Sequence, residues 1–358
     1  MTRRPVLSLL MFAFCLLLLS ACGKVGDPLP PIPKAPLIVN ELAATQQGTS
    51  ILLSFPVAKE TRTEKLKRVD IYRLIEPDTA PQGITADDYL TRAALIASLE
   101  EKQIPARASV VNYVDPIDFK MANDHTRYRY AVRLVNLEDR PADLSNYASL
   151  TPLSTVAEPP LGLKANVTQT EVEITWQPPA ANLNGSSPAN VAGYNLYRRV
   201  DKQLLKVNAA PLKETRYVEK QFQFGTNYEY IARALSLPRP GAPVSEMIES
   251  NESLPLTIIP KDTFPPTAPT SITIASRGGL ISLFWPANPE PDVIGYHLYR
   301  SEDEKTWTKI TPRPITTITF SDRQVQIGKR YFYQITAVDN AGNESPRSEA
   351  HSEIAEPN

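Results

Sequence analysis

GYHLYR at residues 295–300 recurs with one change as GYNLYR at residues 193–198, and a shorter relative, VDIYR, stands at residues 69–73. Alternate residues of an extended chain point to opposite faces of a sheet, so Tyr296 and Leu298 share a face, as do Tyr194 and Leu196, and Val69 and Ile71. That face is the one expected to be buried. Tyr299, Tyr197 and Tyr72 then lie on the opposite face and cover the outer surface of the sheet.

The flanks of these three strands repeat as well. Upstream, a strand ends in a large aromatic residue: ISLFW at Trp285, VEITW at Trp176 and ILLSF at Phe55. Downstream comes an aromatic, one residue and an acid, at Phe320 and Asp322, Tyr217 and Glu219, and Tyr113 and Asp115. An aromatic-x-aromatic alternation follows at Tyr331 and Tyr333, Tyr228 and Tyr230, and Tyr128 and Tyr130. The interval from Phe320 to Tyr331 equals that from Tyr217 to Tyr228, and the first copy is somewhat longer. With 34 prolines and only 14 glycines in 358 residues, the chain reads as many short strands broken by proline turns.

Each unit resembles a fibronectin type III domain, a seven-stranded, two-sheet sandwich of about 100 residues. The resemblance implies an all-β chain of three tandem fibronectin type III (immunoglobulin-like) β-sandwiches, at residues 37–153, 160–258 and 267–355. It implies that Trp176 and Trp285 are the core tryptophans of the second strand, with Phe55 in their place in the first copy. Ile71, Tyr194, Leu196, Tyr296 and Leu298 fall on the inner face of the third strand, and Tyr128, Tyr228 and Tyr331 join the core from the sixth. Tyr228 and Tyr331, following Gly225 and Gly328, resemble the family's tyrosine corner, whose hydroxyl satisfies a nearby backbone group.

The first copy departs from the pattern by an insertion in which Thr85 and Asp88 open TADDYLTRAA like a capping box, predicting a short helix before a strand at LIASL. The second copy carries long loops at residues 182–191 and 237–243, the better candidates for binding because a rigid sandwich positions loops that are free to vary. Glu158-Pro159-Pro160 and Phe264-Pro265-Pro266 mark the linkers.

At the N-terminus Arg3 and Arg4 precede an apolar run from Val6 to Leu19, interrupted by Ser8, and then Ser20, Ala21 and Cys22. A basic start, a short apolar stretch and small residues make a secretion signal over residues 1–21. Leu19-Ser20-Ala21-Cys22 resembles a bacterial lipobox, which implies lipidation of the Cys22 sulfur, cleavage just before it and durable attachment to a membrane through acyl chains. Residues 22–36, with Pro28, Pro30, Pro31, Pro33 and Pro36, form an extended tether. Gly23, rather than the aspartate associated with inner-membrane retention, favours the outer membrane of a bacterial cell envelope. Cys15 and Cys22 are the only cysteines, so the processed chain has neither a disulfide nor a thiol nucleophile.

Little in the sequence points to chemistry. A formal net charge of −1 gives no reason to expect nucleic acid. His125, His297 and His351 lie far apart and are expected at the surface rather than on a metal. No phosphate loop, nucleophile elbow or metalloprotease signature is present. Glu290 and Asp292 could be taken as an acid pair for glycoside hydrolysis, but the segment coincides with a turn, and no second carboxylate at a suitable separation is evident from sequence. Asp115, Glu219 and Asp322 recur at one repeat position, which argues for a structural role. Trp307 could stack on a sugar ring, although packing against its own sheet is the favoured reading. The expectation is therefore a chain with no catalytic residue, cofactor or metal site: a non-catalytic, lipid-anchored interaction or spacer protein with an envelope protein as partner. The alternative is an accessory carbohydrate-binding lipoprotein that holds polysaccharide near separate enzymes.

Overall fold

The computed structural model describes residues 38–57, 66–104, 110–117, 119 and 125–357; Cys22, the signal segment and most of the proline tether lie outside them. The chain divides into two compact units, the first holding Ile51–Ile117 and the second Leu153–Asn358. The first repeat runs β1 (Ala43–Gln47), β2 (Ser50–Pro56), β3 (Leu66–Pro77), helix α1 (Ala86–Arg92), β4 (Ala94–Glu100), β5 (Val110–Pro116), β6 (Thr126–Asn136) and β7 (Ala148–Leu150). The second runs β8 (Leu161–Val167), β9 (Val172–Gln177), β10 (Gly193–Val200), β11 (Gln203–Lys206), β12 (Arg216–Glu219), β13 (Tyr228–Ser236), β14 (Ile248–Glu249) and β15 (Leu256–Ile258). The third runs β16 (Thr273–Arg277), β17 (Leu280–Phe284), β18 (Val293–Ser301), β19 (Thr308–Lys309), β20 (Thr319–Asp322), β21 (Arg330–Asp339) and β22 (His351–Ile354).

Strand order is the same in all three. One sheet is β1-β2-β5, β8-β9-β12 or β16-β17-β20. The other is β4-β3-β6-β7, or β19-β18-β21-β22, or β11-β10-β13 with β14 and β15 both on the far side of β13. Two antiparallel sheets in this order make a fibronectin type III sandwich, and the all-β class follows from it.

The inner faces explain the repeated residues. Phe55, Ile71, Tyr128, Trp176, Tyr194, Leu196, Tyr228, Trp285, Tyr296, Leu298 and Tyr331 are each at most 5% exposed. Pairing of β18 with β21 sets Tyr296 opposite Ala337 and Leu298 opposite Ile335, so both strands send their apolar sets to one side. Trp285 meets Tyr296 edge-on at 5.3 Å, and Trp176 meets Tyr194 in the same way at 5.5 Å, an arrangement that aromatic quadrupoles favour. The glycine opening GYNLYR and GYHLYR has a steric cause, since a Cβ on Gly193 or Gly295 would stand 2.8 Å from the carbonyl oxygen of Leu212 or Ile315. Gln223 N donates to the Tyr228 hydroxyl at 2.9 Å and Gln326 N to that of Tyr331 at 3.0 Å, so these hydroxyls tie down the chain that enters β13 and β21.

The insertion of the first repeat folds onto the outer face of β3 and β6. Thr85 caps α1 by accepting from Asp88 N, and Tyr89 drops its ring into a cluster with Leu74 and Ala131. Around it Glu76 accepts from both Arg127 and Arg129, whose remaining donors reach the carbonyls of Ala80, Pro81 and Gln82. Burial pushes the Glu76 pKa up, but the hydrogen bonds and charges of the two arginines outweigh it and hold the carboxyl below the usual range.

His297 differs from the surface position expected of it. It is 8% exposed, because Thr311 lies against the outer side of β18 and places its carbonyl and hydroxyl 3.1 and 3.2 Å from Nδ1.

Leu298→Ala removes a side chain with no exposed surface from the middle of this packing. It is expected to cost about 3 kcal/mol in the urea unfolding of the third repeat, with a cavity term included. A loss below about 1 kcal/mol would show that the inner face is not close-packed there.

Candidate functional site

The recurring acids lie between the sheets. In the third repeat Asp322, on β20, accepts from Arg300 Nη1 of β18 at 2.9 Å and from the Tyr333 hydroxyl of β21 at 2.9 Å. In the first, Asp115 accepts from Arg73 Nη1 at 2.9 Å and from the Tyr130 hydroxyl at 2.6 Å. In the second, Glu219 accepts from Arg198 Nη1 at 2.8 Å. Each arginine also stands over the tyrosine that opens the sixth strand, 6.0, 5.4 and 5.3 Å from the rings of Tyr128, Tyr228 and Tyr331. The acid and the arginine belong to opposite sheets, so the pair joins one sheet to the other. Burial, with the neighbouring carboxylate, pushes the Tyr130 and Tyr333 hydroxyls far above the ordinary tyrosine range; they are fixed donors, unsuited to proton transfer.

The second repeat carries a defect in this arrangement. The Tyr230 hydroxyl is fully buried and has no hydrogen-bond partner among the described residues, although Glu219 accepts from Arg198 and Gln221 N as Asp322 does from Arg300 and Gln324 N. Its pKa is pushed up to about 12 by burial and the Glu219 charge.

Outside the sandwich interiors, the shallow concavities of the second unit include a pair of similar size. One, of about 490 Å³, is walled by Arg198, Leu205, Lys206, Tyr217 and Lys220. The other, of about 510 Å³, is bordered by Phe224, Pro260, Asp262, Asp292 and Asn340. At the latter, carboxylate oxygens of Asp262, Asp292 and Asp339 come within 4.8 Å of one another, a donor set suited in kind to a hard cation such as calcium. Asn343 donates to Asp339 and approaches Asp262, and Gln169 donates to Asp292, so amides already serve this group. Sequence reasoning missed the trio because its members come from a linker, a turn and the end of β21.

Glu290 and Asp292, separated by Pro291, have different surroundings. Burial pushes the Glu290 pKa up, but hydrogen bonds from Thr267 and Asn288 outweigh it and hold the carboxyl down at about 2. A general acid for glycoside hydrolysis needs the opposite shift. The two long loops of the second repeat are bound to each other: Asn190 Nδ2 donates to Leu237 O at 2.8 Å, while the buried Asn182 accepts from Asn190 N and donates to Ser186. Trp307 is half-buried, with Arg347 6.0 Å from its ring centre. His125 lies 3.3 Å from Asp78, and His351 opens β22.

No protein-family model matches the chain. Exoglucanase B of Cellulomonas fimi is 27% identical over 219 residues, which cover 58% of this chain and 18% of that protein. The amylopullulanase of Thermoanaerobacterium thermosulfurigenes is 34% identical over 85 residues, 24% of this chain and 4% of that one. The amylopullulanase of Thermoanaerobacter thermohydrosulfuricus is 36% identical over 85 residues, covering 23% and 6%. The chain thus spans less than a fifth of the length of these curated relatives. The crystal structure of the chicken CNTN1 FN1-FN3 domains aligns with 90% of this chain and all of its own, at 15% identity and a TM-score of 0.26. A superposition at that score adds nothing to the strand orders above.

Tyr333→Phe breaks a hydroxyl–carboxylate bond in the interior and should cost about 1 to 2 kcal/mol in denaturant unfolding. Tyr230→Phe removes a hydroxyl that has no partner, so it should be neutral or stabilising. Equal losses at the two positions would contradict this account. Acid should also weaken the third repeat. A carboxyl held at about 2 against an unfolded value of about 4.3 adds stability that is complete above the unfolded value and lost as pH falls toward 2. Glu290→Gln should flatten that part of the stability profile, which a pH series of urea midpoints would measure.

Proposed function

We propose that this chain is a non-catalytic protein of the bacterial cell envelope, anchored by lipid on Cys22, that presents fibronectin type III modules to a partner. The observation that carries the reading is the use to which the repeated ionisable residues are put. Asp115, Glu219 and Asp322 are spent on joining sheets, three times over, with arginine and twice with tyrosine. The Leu19-Ser20-Ala21-Cys22 sequence and the proline-rich stretch behind it support the anchor and a tether that sets the modules off from the membrane. Among the described residues no helix is long and apolar enough to cross a membrane.

A second reading is supported by the comparisons. The stretches of similarity fall in proteins named as an exoglucanase and amylopullulanases, each far longer than this chain. Polysaccharide is therefore the partner class we favour, with the lipidated modules holding it beside enzymes carried on other chains.

Globomycin, which blocks lipoprotein signal cleavage, should cause the precursor to accumulate, and Cys22→Ala should abolish both palmitate labelling and membrane fractionation. Unchanged processing under globomycin would overturn the anchor. Cross-linking in vivo followed by affinity recovery of the lipidated protein should return glycan; a reproducible envelope protein without glycan would replace the polysaccharide reading with that of a protein scaffold.

A further inference from the structure

The second and third repeats share a five-residue pattern ahead of their last strands, Glu249-Ser250-Asn251-Glu252-Ser253 and Glu344-Ser345-Pro346-Arg347-Ser348. The registers match atom for atom. Ser250 and Ser253 Oγ accept from Ala234 N and Ala232 N, while Ser345 and Ser348 Oγ accept from Ala337 N and Ile335 N. Glu249 and Glu344 play the same part, each accepting from the outward tyrosine of the third strand, Tyr197 at 2.5 Å and Tyr299 at 2.6 Å. At the fourth place of the pattern the sign of charge is reversed, Glu252 in one repeat and Arg347 in the other.

In the second repeat the arginine on this face is already paired. Arg233 lies 4.5 Å over the Tyr197 ring and bonds Glu249 at 2.6 Å and Glu252 at 2.7 Å. In the third repeat Glu344 is taken up by Tyr299, by Thr336 at 2.6 Å and by Lys309 at 3.3 Å. Arg347 is exposed, lies 4.1 Å over the Tyr299 ring and 6.0 Å from that of Trp307, and has no carboxylate partner among the described residues. The guanidinium rests over the Tyr299 ring, and no carboxylate among the described residues takes up its donors.

We propose that this outer face of the third repeat, centred on Arg347 between Tyr299 and Trp307, docks a polysaccharide bearing carboxylate groups. The inference rests on the polysaccharide reading above and narrows it to acidic glycans. A planar, pre-oriented guanidinium pairs with a carboxylate through two parallel hydrogen bonds. The half-buried Trp307 offers an apolar plane beside it, so a uronate residue finds a partner for its charge and for its ring together. In the second repeat Arg233 is already held by Glu249 and Glu252, so that face offers no such pairing.

The test measures binding of the full lipidated chain in detergent to polygalacturonate, alginate, amylose and cellulose, alongside Arg347→Ala, Arg347→Glu and Trp307→Ala, with circular dichroism to establish folding. Uronate polymers should bind and neutral ones should not. Arg347→Ala should weaken binding about tenfold or more, the worth of one charge-assisted pair, Arg347→Glu should weaken it further, and added salt should reduce wild-type binding. Binding to neutral glucans with no effect of Arg347→Ala would overturn this proposal while leaving the polysaccharide reading in place. Binding to none of the four would count against both.

Discussion

The arginine–carboxylate pair between the sheets is the constraint on which each sandwich depends. Apolar faces are held together without directional bonds, and no cysteine lies among the described residues to tie one sheet to the other. A pair such as Arg300 and Asp322 fixes the third strand against the fifth at one point. Burying two charges adds little net stability compared with a well-packed apolar pair, but losing one partner is costly, so the pair selects a single register over its neighbours. The tyrosine from the sixth strand brings a third strand into the same fix. Its aromatic neighbour two residues earlier supports the arginine from below, and its hydroxyl holds the incoming chain in the second and third repeats.

Much of this framework could be read directly because a strand's period is short and its signal local. Alternation in GYHLYR assigns Tyr296 and Leu298 to the core without reference to any other segment, and the recurrence of Asp115, Glu219 and Asp322 marks the position as structural. Their partners were less legible. Arg73, Arg198 and Arg300 fall on the same alternating face as the buried residues, yet alternation does not say that each meets an acid some twenty to forty residues later. His297 illustrates the same limit: it was placed at the surface by residue type, whereas the segment around Thr311 that covers it is not foreseeable from β18 alone. The cluster of Asp262, Asp292 and Asp339 depends on a linker, a turn and a strand end meeting, and local pattern carries no trace of that.

The repeats share a frame and differ on its outer side. In the first, the inserted α1 and the Glu76–Arg127–Arg129 network close the face of β3 and β6, so that surface is already occupied by the chain itself. In the second it is open, but its arginine is already paired with two carboxylates. In the third it is open and carries an arginine without a counter-charge. One architecture therefore presents three different surfaces, and the sandwiches are not interchangeable in what they offer to a partner.

The two serines that precede the last strand of the second and third repeats have a wider consequence. Because their hydroxyls, together with their backbone groups, anchor this segment to the sixth strand, the residues between and before them are released from holding the backbone. Glu252 and Arg347 occupy the same place with opposite sign and leave the local geometry unaltered. The same set of backbone anchors thus carries side chains of opposite charge, which separates what holds the domain together from what it displays.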